Sequence, residues 1–218
     1  MAAISVLVAV QARSLADREI AELENRLIEA KRTELQNYLA LARNAISKDY
    51  GRALPDDEDA KERVIQTLAA MIYGQDGYFF VYDYDGNNLV APRQTELINA
   101  NWAGLADATG TPIVDELIKI ARRGTGYHSY LWRKPTTGEE AQIVSYVVGL
   151  QDWRWALGTG IFIDDVLDTV AAARSETEAR VRETFLWIAG ITMIALLLVF
   201  FTGLWLNIRE RRLADAKL

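Results

Sequence analysis

The sequence predicts an α+β fold in which a long N-terminal helix packs on an antiparallel five-stranded sheet, and a transmembrane helix follows near the C-terminus. Three observations lead to this prediction. Residues 14–47 have helical spacing without glycine or proline, and five short runs rich in aromatic and β-branched residues lie within residues 78–163. Residues 185–206 are uncharged and mostly apolar. The 218 residues suffice for one domain with a hydrophobic core outside the apolar ends.

The first helix is predicted over residues 14–47, where apolar residues recur every three or four positions and form one stripe. The stripe consists of Ile20, Leu23, Leu27, Leu35, Leu39, Ala42 and Ile46. A helix of more than about 30 residues is near 45 Å long, which exceeds what a small domain needs for a core helix. We therefore expect one part of it to pack on its own sheet and another to be a stalk that pairs with a second protomer in a homodimer.

The apolar stretch before this helix, residues 2–10, has about half the length that a membrane-spanning helix requires. It lacks the charged n-region and the cleavage site of a signal peptide. We expect residues 1–10 to be the end of a first transmembrane helix whose upstream part is missing from this chain. A short interfacial anchor is the alternative.

A second helix and a β-hairpin follow. A polar break at residues 51–59 precedes helical spacing over residues 60–73. The period then changes, because residues 78–82 are aromatic and β-branched, and an Asp-Gly turn at 85–86 comes before residues 88–91. This pattern predicts the first two strands.

The third helix is predicted to begin at Pro112, because Thr111 is a favourable N-cap and proline fits the first helical position. It should run to about Arg123. Three further strands are predicted at residues 127–132, 142–150 and 155–163, separated by turn-forming residues. Together with the hairpin they make five strands of one antiparallel sheet.

The apolar run at residues 185–206 just covers a hydrocarbon core of roughly 30 Å and is predicted to span the membrane once. The tail at 207–218 is predicted to be cytoplasmic, because basic residues are enriched on that side. These basic residues are Arg209, Arg211, Arg212 and Lys217. We expect a domain with its stalk over 11–168 outside the cytoplasm, and a connecting helix over 169–184 that continues into the membrane.

The composition excludes several function classes. A net charge of −6, without a basic run that interleaves aromatic residues, argues against nucleic-acid binding. The absence of cysteine excludes thiolate metal sites, and a single histidine excludes a histidine cluster within the chain. Residues 83–86 resemble the start of a calcium loop, but Gln94 stands where that loop needs a glutamate. We predict no metal and no cofactor.

No catalytic residue is predicted either. His128 lies in an alternating aromatic run, which is more typical of a strand face than of a catalytic base. The adjacent carboxylates of Asp164 and Asp165 suit a helix N-terminus rather than acid–base chemistry across a cleft. The chain is therefore not expected to be an enzyme.

Five motifs along the chain carry a resemblance to a known family. They are DGYFFVYDYDG at 76–86, DATG at 107–110, GYHSYLWRKP at 126–135, SYV at 145–147 and WRWALGTGIFIDD at 153–165. Together they resemble the single-Cache family, the PAS-like extracytoplasmic sensor domains of bacterial chemoreceptors and sensor histidine kinases, over about residues 28–168. The resemblance implies a PAS-like sheet and a periplasmic domain held between two helices of the inner membrane. It also implies no catalysis by the domain, and a small organic acid such as acetate, propionate, lactate or pyruvate as the ligand.

The sequence departs from the family pattern at two polar positions. Ala91 precedes Pro92 where the family often has histidine, and Ile143 stands where it often has lysine. Both changes point away from a simple carboxylate ligand.

The ligand site is predicted from the needs of a small anion, namely a cationic contact and aromatic walls that exclude water. The ligand-binding candidates are Tyr130, Trp132, Lys134, Tyr146, Arg93, Tyr78, Phe80 and His128. Lys134 and Arg93 would supply the positive charge. Alternation places Tyr130 and Trp132 on one face of a strand, and if Tyr146 on the next strand shares that face, the three form an aromatic wall. The alternative is that these aromatic residues are sheet core or cross-strand pairs.

These observations lead to a membrane-anchored sensor that binds a small ligand and relays its occupancy through the last helix. A cytoplasmic kinase or chemotaxis output module is absent from this chain, which we expect to be a fragment of a larger receptor or a subunit that works with a separate kinase. A ligand-free subunit for dimerisation or docking is the alternative. A collapsed pocket filled by Tyr130, Trp132 and Tyr146 would favour that alternative.

Overall fold

The computed structural model describes residues 2–215 of the chain. Its helices and strands are, in chain order, α1 (Ala2–Tyr50), α2 (Glu58–Ala70), β1 (Ile72–Tyr73), β2 (Gly77–Asp83), β3 (Asn88–Val90), α3 (Val114–Arg123), β4 (Thr125–Arg133), β5 (Glu140–Leu150), β6 (Trp155–Phe162) and α4 (Asp164–Asp215). Short 3-10 turns lie at Thr95–Leu97 and Gln151–Trp153. Asn25–Asp168 form one compact unit, and the residues before and after them form a second.

The strands form an antiparallel sheet in the order β1-β2-β6-β5-β4, and β3 pairs with β2 on the same edge as β1. The β4–β5 ladder runs from the pair Thr125 and Val148 to the pair Arg133 and Glu140. The predicted antiparallel sheet is confirmed. The structure adds β1, a two-residue strand that the sequence pattern did not reveal.

One face of the sheet is covered by α1 and α2. The C-terminal part of the apolar stripe of α1 is buried there, and Leu39 and Ile46 are each 1% exposed. They pack with Val64 of α2 against Val81 and Leu157 of the sheet. Burying a leucine contributes about 1.5–3 kcal/mol relative to leaving it exposed, so this part of the stripe holds the helix on the sheet. We call this face the helix side.

The opposite face of the sheet is covered by α3 and by the connection between β3 and α3. The residues buried there include Ile113, Val114, Leu117, Ile118 and Ala121, together with Tyr78, Phe80, Tyr82, Tyr130 and Val147 of the sheet. Strand β2 is therefore buried on both faces. This explains why its sequence is a continuous apolar run without polar alternation.

The second helix is shorter than its helical spacing predicted. It ends at Ala70 and not at residue 73, because Met71 has an extended backbone and Ile72–Tyr73 pair with the start of β2. The apolar residues at 71–73 fit the spacing of a helix as well as that of a strand. The hydrogen-bonded pairing with β2 makes residues 72–73 a strand.

The third helix begins at Val114, so the predicted start at Pro112 with Thr111 as N-cap is wrong. The carboxylate of Asp107 accepts a hydrogen bond from the backbone N–H of Thr111, and Pro112 forms an isolated antiparallel bridge with Ala106. These contacts keep the segment outside the helix.

The terminal helices are longer than the sequence predicted. Helix α1 is continuous over Ala2–Tyr50, so the apolar N-terminal stretch belongs to the same helix as the predicted stalk. Helix α4 runs from Asp164 to Asp215, and within it Leu186–Gly203 is long and apolar enough to cross a membrane, with a mean hydropathy of 2.3. Met1 of the predicted N-terminal segment and Lys217 of the predicted tail lie outside the described residues.

Candidate ligand-binding cavity

A small cavity lies between the sheet and the connection from β3 to α3. Its sheet side is formed by Tyr78, Phe80 and Tyr82 of β2 and by Tyr130 and Trp132 of β4. Alternation explains this arrangement, because residues two apart on a strand face the same side. Four of the predicted candidates therefore line one cavity.

The remaining lining residues come from elsewhere in the same unit. They are Asn88 of β3, Ala91, Leu97 and Ile113 of the connection, Ile143 of β5 and Gly160 of β6. We call residues 91–113 the cover segment. The cavity has a volume of about 10 Å³, which is roughly room for one water molecule.

Both positions that depart from the family pattern face this cavity. Ala91 and Ile143 line it and are almost fully buried. Apolar side chains there leave the wall without the histidine and the lysine of the pattern.

Tyr146 lies on the helix side of the sheet. In the β4–β5 ladder it is the partner of Tyr127, whereas Tyr130 is paired with Ile143. Cross-strand partners share a face, so Tyr146 packs beside Tyr127, with ring centroids 4.7 Å apart, against the helix-side core. The expectation that Tyr130, Trp132 and Tyr146 form one aromatic wall is therefore wrong, because the register places Tyr146 on the other face.

A hydrogen-bond network joins the cover segment to the sheet. The Tyr78 hydroxyl donates to Oε1 of Gln94 over 2.8 Å. Nε1 of Trp132 donates to the same oxygen over 2.8 Å and to the Tyr78 hydroxyl over 3.2 Å. Because Gln94 belongs to the cover segment, the network ties this segment to β2 and β4.

The tyrosine hydroxyls of the cavity carry no charge at neutral pH. Burial raises the pKa of Tyr82 to about 12, and the approach of the Asn88 side chain partly opposes this rise. Burial also raises the pKa values of Tyr78 and Tyr130. The Tyr130 hydroxyl lies 3.0 Å from Oγ of the buried Ser145. These hydroxyls therefore offer neutral hydrogen bonds to a ligand.

Asn88 reaches the cavity through an irregularity in the sheet. The β2–β3 register shifts so that Val90 lies opposite Val81 while Asn88 lies opposite Tyr82. The extra residue of this bulge turns Asn88 to the cavity, whereas Val90 packs on the helix side.

The Asn88 amide is buried without hydrogen bonds. Its residue is 0% exposed, and neither Oδ1 nor Nδ2 has a partner among the described residues. The Asn88 side chain lies near enough to the Tyr82 hydroxyl to lower the pKa of Tyr82, but the two groups do not meet in hydrogen-bond geometry. Leaving a buried polar group unpaired costs about 1–3 kcal/mol. Asn88 thus presents an unused donor and an unused acceptor to the cavity.

The two predicted cations, Lys134 and Arg93, do not line the cavity. Lys134 forms an ion pair with Asp164, and its Nζ lies 5.5 Å from the centroid of the Phe162 ring. The hydrogen bond between the partners raises the pKa of Lys134 and lowers that of Asp164. Nε of Arg93 is buried and has no hydrogen-bond partner among residues 2–215. A ligand contact by either residue stays a prediction.

His128 lies beside the cavity and outside its wall. Its Nε2 is 2.7 Å from the backbone oxygen of Pro112, and its ring centroid is 5.2 Å from that of Tyr130. The contact with Pro112 joins β4 to the cover segment. A ligand contact by His128 also stays a prediction.

Asp107 provides a further link between the cover segment and β4. Its carboxylate accepts a hydrogen bond of 2.9 Å from the backbone N–H of Leu131, and others from Thr109 and Thr111 within its own loop. The hydrogen bond from Leu131 is the main reason that the pKa of Asp107 lies well below its usual range. This is the structural role of the DATG motif.

Comparison with known proteins identifies the domain that holds this cavity. The sequence model described as Single Cache domain 2 matches residues 27–176. The chain belongs to this family. Its Cache domain is a sensor module, and one candidate transmembrane helix follows it.

The curated relatives of this Cache protein are receptors. The chain is 43% identical over 216 residues to the sensor histidine kinase MctS of Rhizobium johnstonii, and the matched region covers 99% of this chain and 47% of that protein. It is 28% identical over 192 residues to the methyl-accepting chemotaxis protein CtpM of Pseudomonas aeruginosa, which covers 87% of this chain and 34% of that protein. The chain thus spans about half the length, or less, of these relatives.

Solved structures share the fold of the Cache domain. A methyl-accepting chemotaxis protein from Vibrio parahaemolyticus has a TM-score of 0.64 at 34% identity, covering 68% of this chain and 99% of that one. A Cache chemosensory domain solved to explain carboxylic acid recognition has a TM-score of 0.58 at 24% identity, covering 64% of this chain and 98% of that one. The second likeness concerns the fold alone.

Proposed function

We propose that this chain holds the extracytoplasmic ligand-binding sensor of a membrane-bound receptor of the histidine kinase or chemoreceptor type, and that the sensor binds a small organic acid. The observation that carries the proposal is the cavity under the cover segment, where the buried Asn88 amide makes no hydrogen bond to any of the described residues. Buried polar groups in native proteins normally have partners. An unpartnered amide inside a cavity therefore indicates a place for a ligand.

The lining of the cavity suits the proposed ligand class. Aromatic walls accommodate a short hydrocarbon chain, while hydroxyl and amide groups can bind a carboxyl head group. A Cache domain of similar fold recognises carboxylic acids, which supports the same class for this chain. Acetate, propionate, lactate and pyruvate are the candidate ligands.

Ligand binding requires the cavity to enlarge. Its volume of about 10 Å³ is too small for an acid of about three carbon atoms. The Gln94 network and the cover segment form the wall that can move, because they close the cavity over the sheet. The closed and the enlarged cavity are then two states in equilibrium. A ligand that binds the enlarged state more tightly than the closed state shifts the equilibrium toward the enlarged state, and the difference between the two affinities sets the size of the shift.

The same proposal assigns the other segments of the chain. Residues 11–168 form the sensor with its stalk, 169–184 connect it to the span at 185–206, and 207–218 lie in the cytoplasm below the inner membrane. Two protomers pair through α1, where Leu41 is an exposed apolar residue that a second helix would cover. A kinase or chemotaxis module receives the signal on the cytoplasmic side.

Calorimetric titration of the full chain in lipid nanodiscs tests the proposal with the four acids. A ligand at 100 times its Kd adds about 2.7 kcal/mol to the free energy of unfolding, so thermal unfolding gives a second readout. Trp132→Ala should weaken binding at least about tenfold, because it removes part of the wall and an N–H donor. Lys134→Ala should change the affinity little if the cavity is the site. A large loss of affinity in Lys134→Ala with little change in Trp132→Ala would place the ligand at Lys134 and not in the cavity. The absence of binding by all four acids would contradict the proposed function.

A ligand-free subunit for dimerisation or docking is the second candidate function. The small cavity volume favours it, because about 10 Å³ between Tyr130, Trp132 and the other lining residues leaves no room for an organic acid. Tyr146, which we expected to help fill a collapsed pocket in such a subunit, lies on the helix side and does not line the cavity. Dimerisation of the full chain at low concentration, measured by analytical ultracentrifugation, together with no heat from any acid would favour this function.

A further inference from the structure

We infer that the cavity takes the head group of its ligand in an uncharged form that both donates and accepts a hydrogen bond. The chemistry that fits is a short carboxylic acid bound together with its proton, or the corresponding primary amide. The inference rests on the proposed function, since it concerns the ligand of the same cavity.

The first argument is the charge of the cavity wall. No lysine, arginine or histidine is among the described residues that line it, and the two positions where the family pattern has such side chains hold Ala91 and Ile143. Lys134, directly after β4, is paired with Asp164, and Arg93, whose Nε is buried without a hydrogen-bond partner among residues 2–215, is not part of the wall. A buried carboxylate without a cationic partner is strongly unfavourable. The wall therefore selects against the anionic form of an acid.

The second argument is the pair of free atoms on Asn88. Nδ2 needs an acceptor and Oδ1 needs a donor, and neither has one within the described part of the chain. A carboxylate offers acceptors only and would leave Oδ1 facing a second oxygen. A protonated carboxyl group or a primary amide satisfies both atoms at once, because its C=O accepts from Nδ2 and its O–H or N–H donates to Oδ1.

Other titratable and charged groups lie on the elements around the cavity. They are Tyr78, Tyr82 and Asp83 on β2, Tyr127, His128, Tyr130 and Arg133 on β4, Glu140 and Tyr146 on β5, and Arg93, Glu96 and Asp107 on the cover segment. Histidine is the side-chain type that ordinarily titrates between about pH 5 and 8. His128 is therefore the protein group whose proton must be distinguished from that of the ligand.

Calorimetric titration of the full chain in nanodiscs with propionate and propionamide, at about pH 5.5, 6.5 and 7.5, tests the inference. Carboxyl groups ordinarily titrate near pH 4, so the neutral acid becomes about tenfold scarcer with each pH unit in this range. The Kd of propionate should rise about tenfold per pH unit, whereas the Kd of propionamide should stay constant. Propionamide should be the tighter ligand at the highest pH.

Two variants complete the experiment. Asn88→Leu should weaken propionamide binding about tenfold or more, because it removes both hydrogen bonds. His128→Gln should keep the pH slope of propionate, and loss of the slope in this variant would assign the proton to the imidazole and overturn the inference. A propionate affinity that is flat with pH would overturn it as well, while leaving the proposed function intact. Failure of both ligands and of the other three acids to bind would overturn the proposed function, and the inference with it.

Discussion

The two faces of the sheet use the same strands for different purposes. On the helix side, Leu39, Val64 and Leu157 are at most 1% exposed and belong to a tightly packed apolar core. On the cavity side, tyrosine hydroxyls and the unpartnered amide of Asn88 lie among the apolar residues. The difference indicates that the helix side stabilises the fold, while the cavity side gives up some stability to keep polar groups available.

The largest expected effect is on stability, from the helix side. Leu39→Ala should lower the free energy of unfolding by about 2–5 kcal/mol, because it removes buried methyl groups and leaves a void. Denaturant unfolding of the full chain in detergent, followed by tryptophan fluorescence, measures the change. Asn37→Ala, at an exposed position of the same helix, is the matched control and should change the value by less than about 0.5 kcal/mol. Equal losses in both variants would contradict the assigned buried face of α1.

Asn88→Leu sharpens the comparison, because stability and binding should change in opposite directions. Replacing the unpartnered amide by an apolar side chain of similar size should raise the free energy of unfolding of the ligand-free protein by about 1–3 kcal/mol. The same denaturation assay measures this gain. Ser145→Ala, which removes the partner of the Tyr130 hydroxyl, should instead be destabilising. A clear loss of stability in Asn88→Leu would show that the amide already has a partner without ligand.

Gln94→Leu tests the network that holds the cover segment. The Tyr78 hydroxyl loses its acceptor and the Trp132 N–H keeps only the longer hydrogen bond to Tyr78, so the free energy of unfolding should fall by about 1–2 kcal/mol. Hydrogen–deuterium exchange in residues 91–113 should become faster, while exchange in α2 should not change. Gln66→Leu, on an exposed position of α2, is the matched control. Unchanged exchange in the cover segment would mean that other contacts hold it.

The smallest expected effect is the acid dependence contributed by Asp107. Its pKa is lowered in the folded protein from a usual value of 3.8, so the folded state binds this proton less readily than the unfolded state. The stabilisation is fully present above the usual carboxyl pKa and is lost as the pH falls toward the lower folded value. Asp107→Asn should remove this part of the acid-denaturation curve, whereas Asp56→Asn at an exposed position should retain it. Identical curves for the wild type and Asp107→Asn would refute the role of this carboxylate.

The elements that could be predicted are those that depend on local periodicity. The stripe through Leu39 and Ile46 predicted a helix packed on the sheet, and the aromatic runs predicted the strands. The start of α3 was missed, because the backbone oxygen of Thr111, which an N-cap would offer to the first turn, accepts a hydrogen bond from the N–H of Asp107 instead. A capping pattern identifies a plausible helix start but not a loop that uses the same carbonyl group.

Part of the site could also be predicted, up to the level of strand register. Alternation identified Tyr130 and Trp132 as residues of one face, and both line the cavity. The relative register of neighbouring strands is not encoded in alternation, so the sequence left open whether Tyr146 shares the face of Tyr130, and the observed register puts it on the other one. Asn88 was missed because the bulge adds one residue to β3. The available signal was the second asparagine of the pair Asn87-Asn88, which follows the hairpin turn and precedes Leu89 and Val90.

The hydrogen bond from Leu131 to Asp107 has a consequence for self-association. Strand β4 is the last strand of the sheet, and its free N–H and C=O groups could pair with a strand of another molecule. Asp107 occupies one of these N–H groups and places a negative charge at the open edge. The segment that covers the cavity therefore also occupies part of this edge, so cleaving or unfolding the loop should free the Leu131 N–H for pairing with a strand of another molecule.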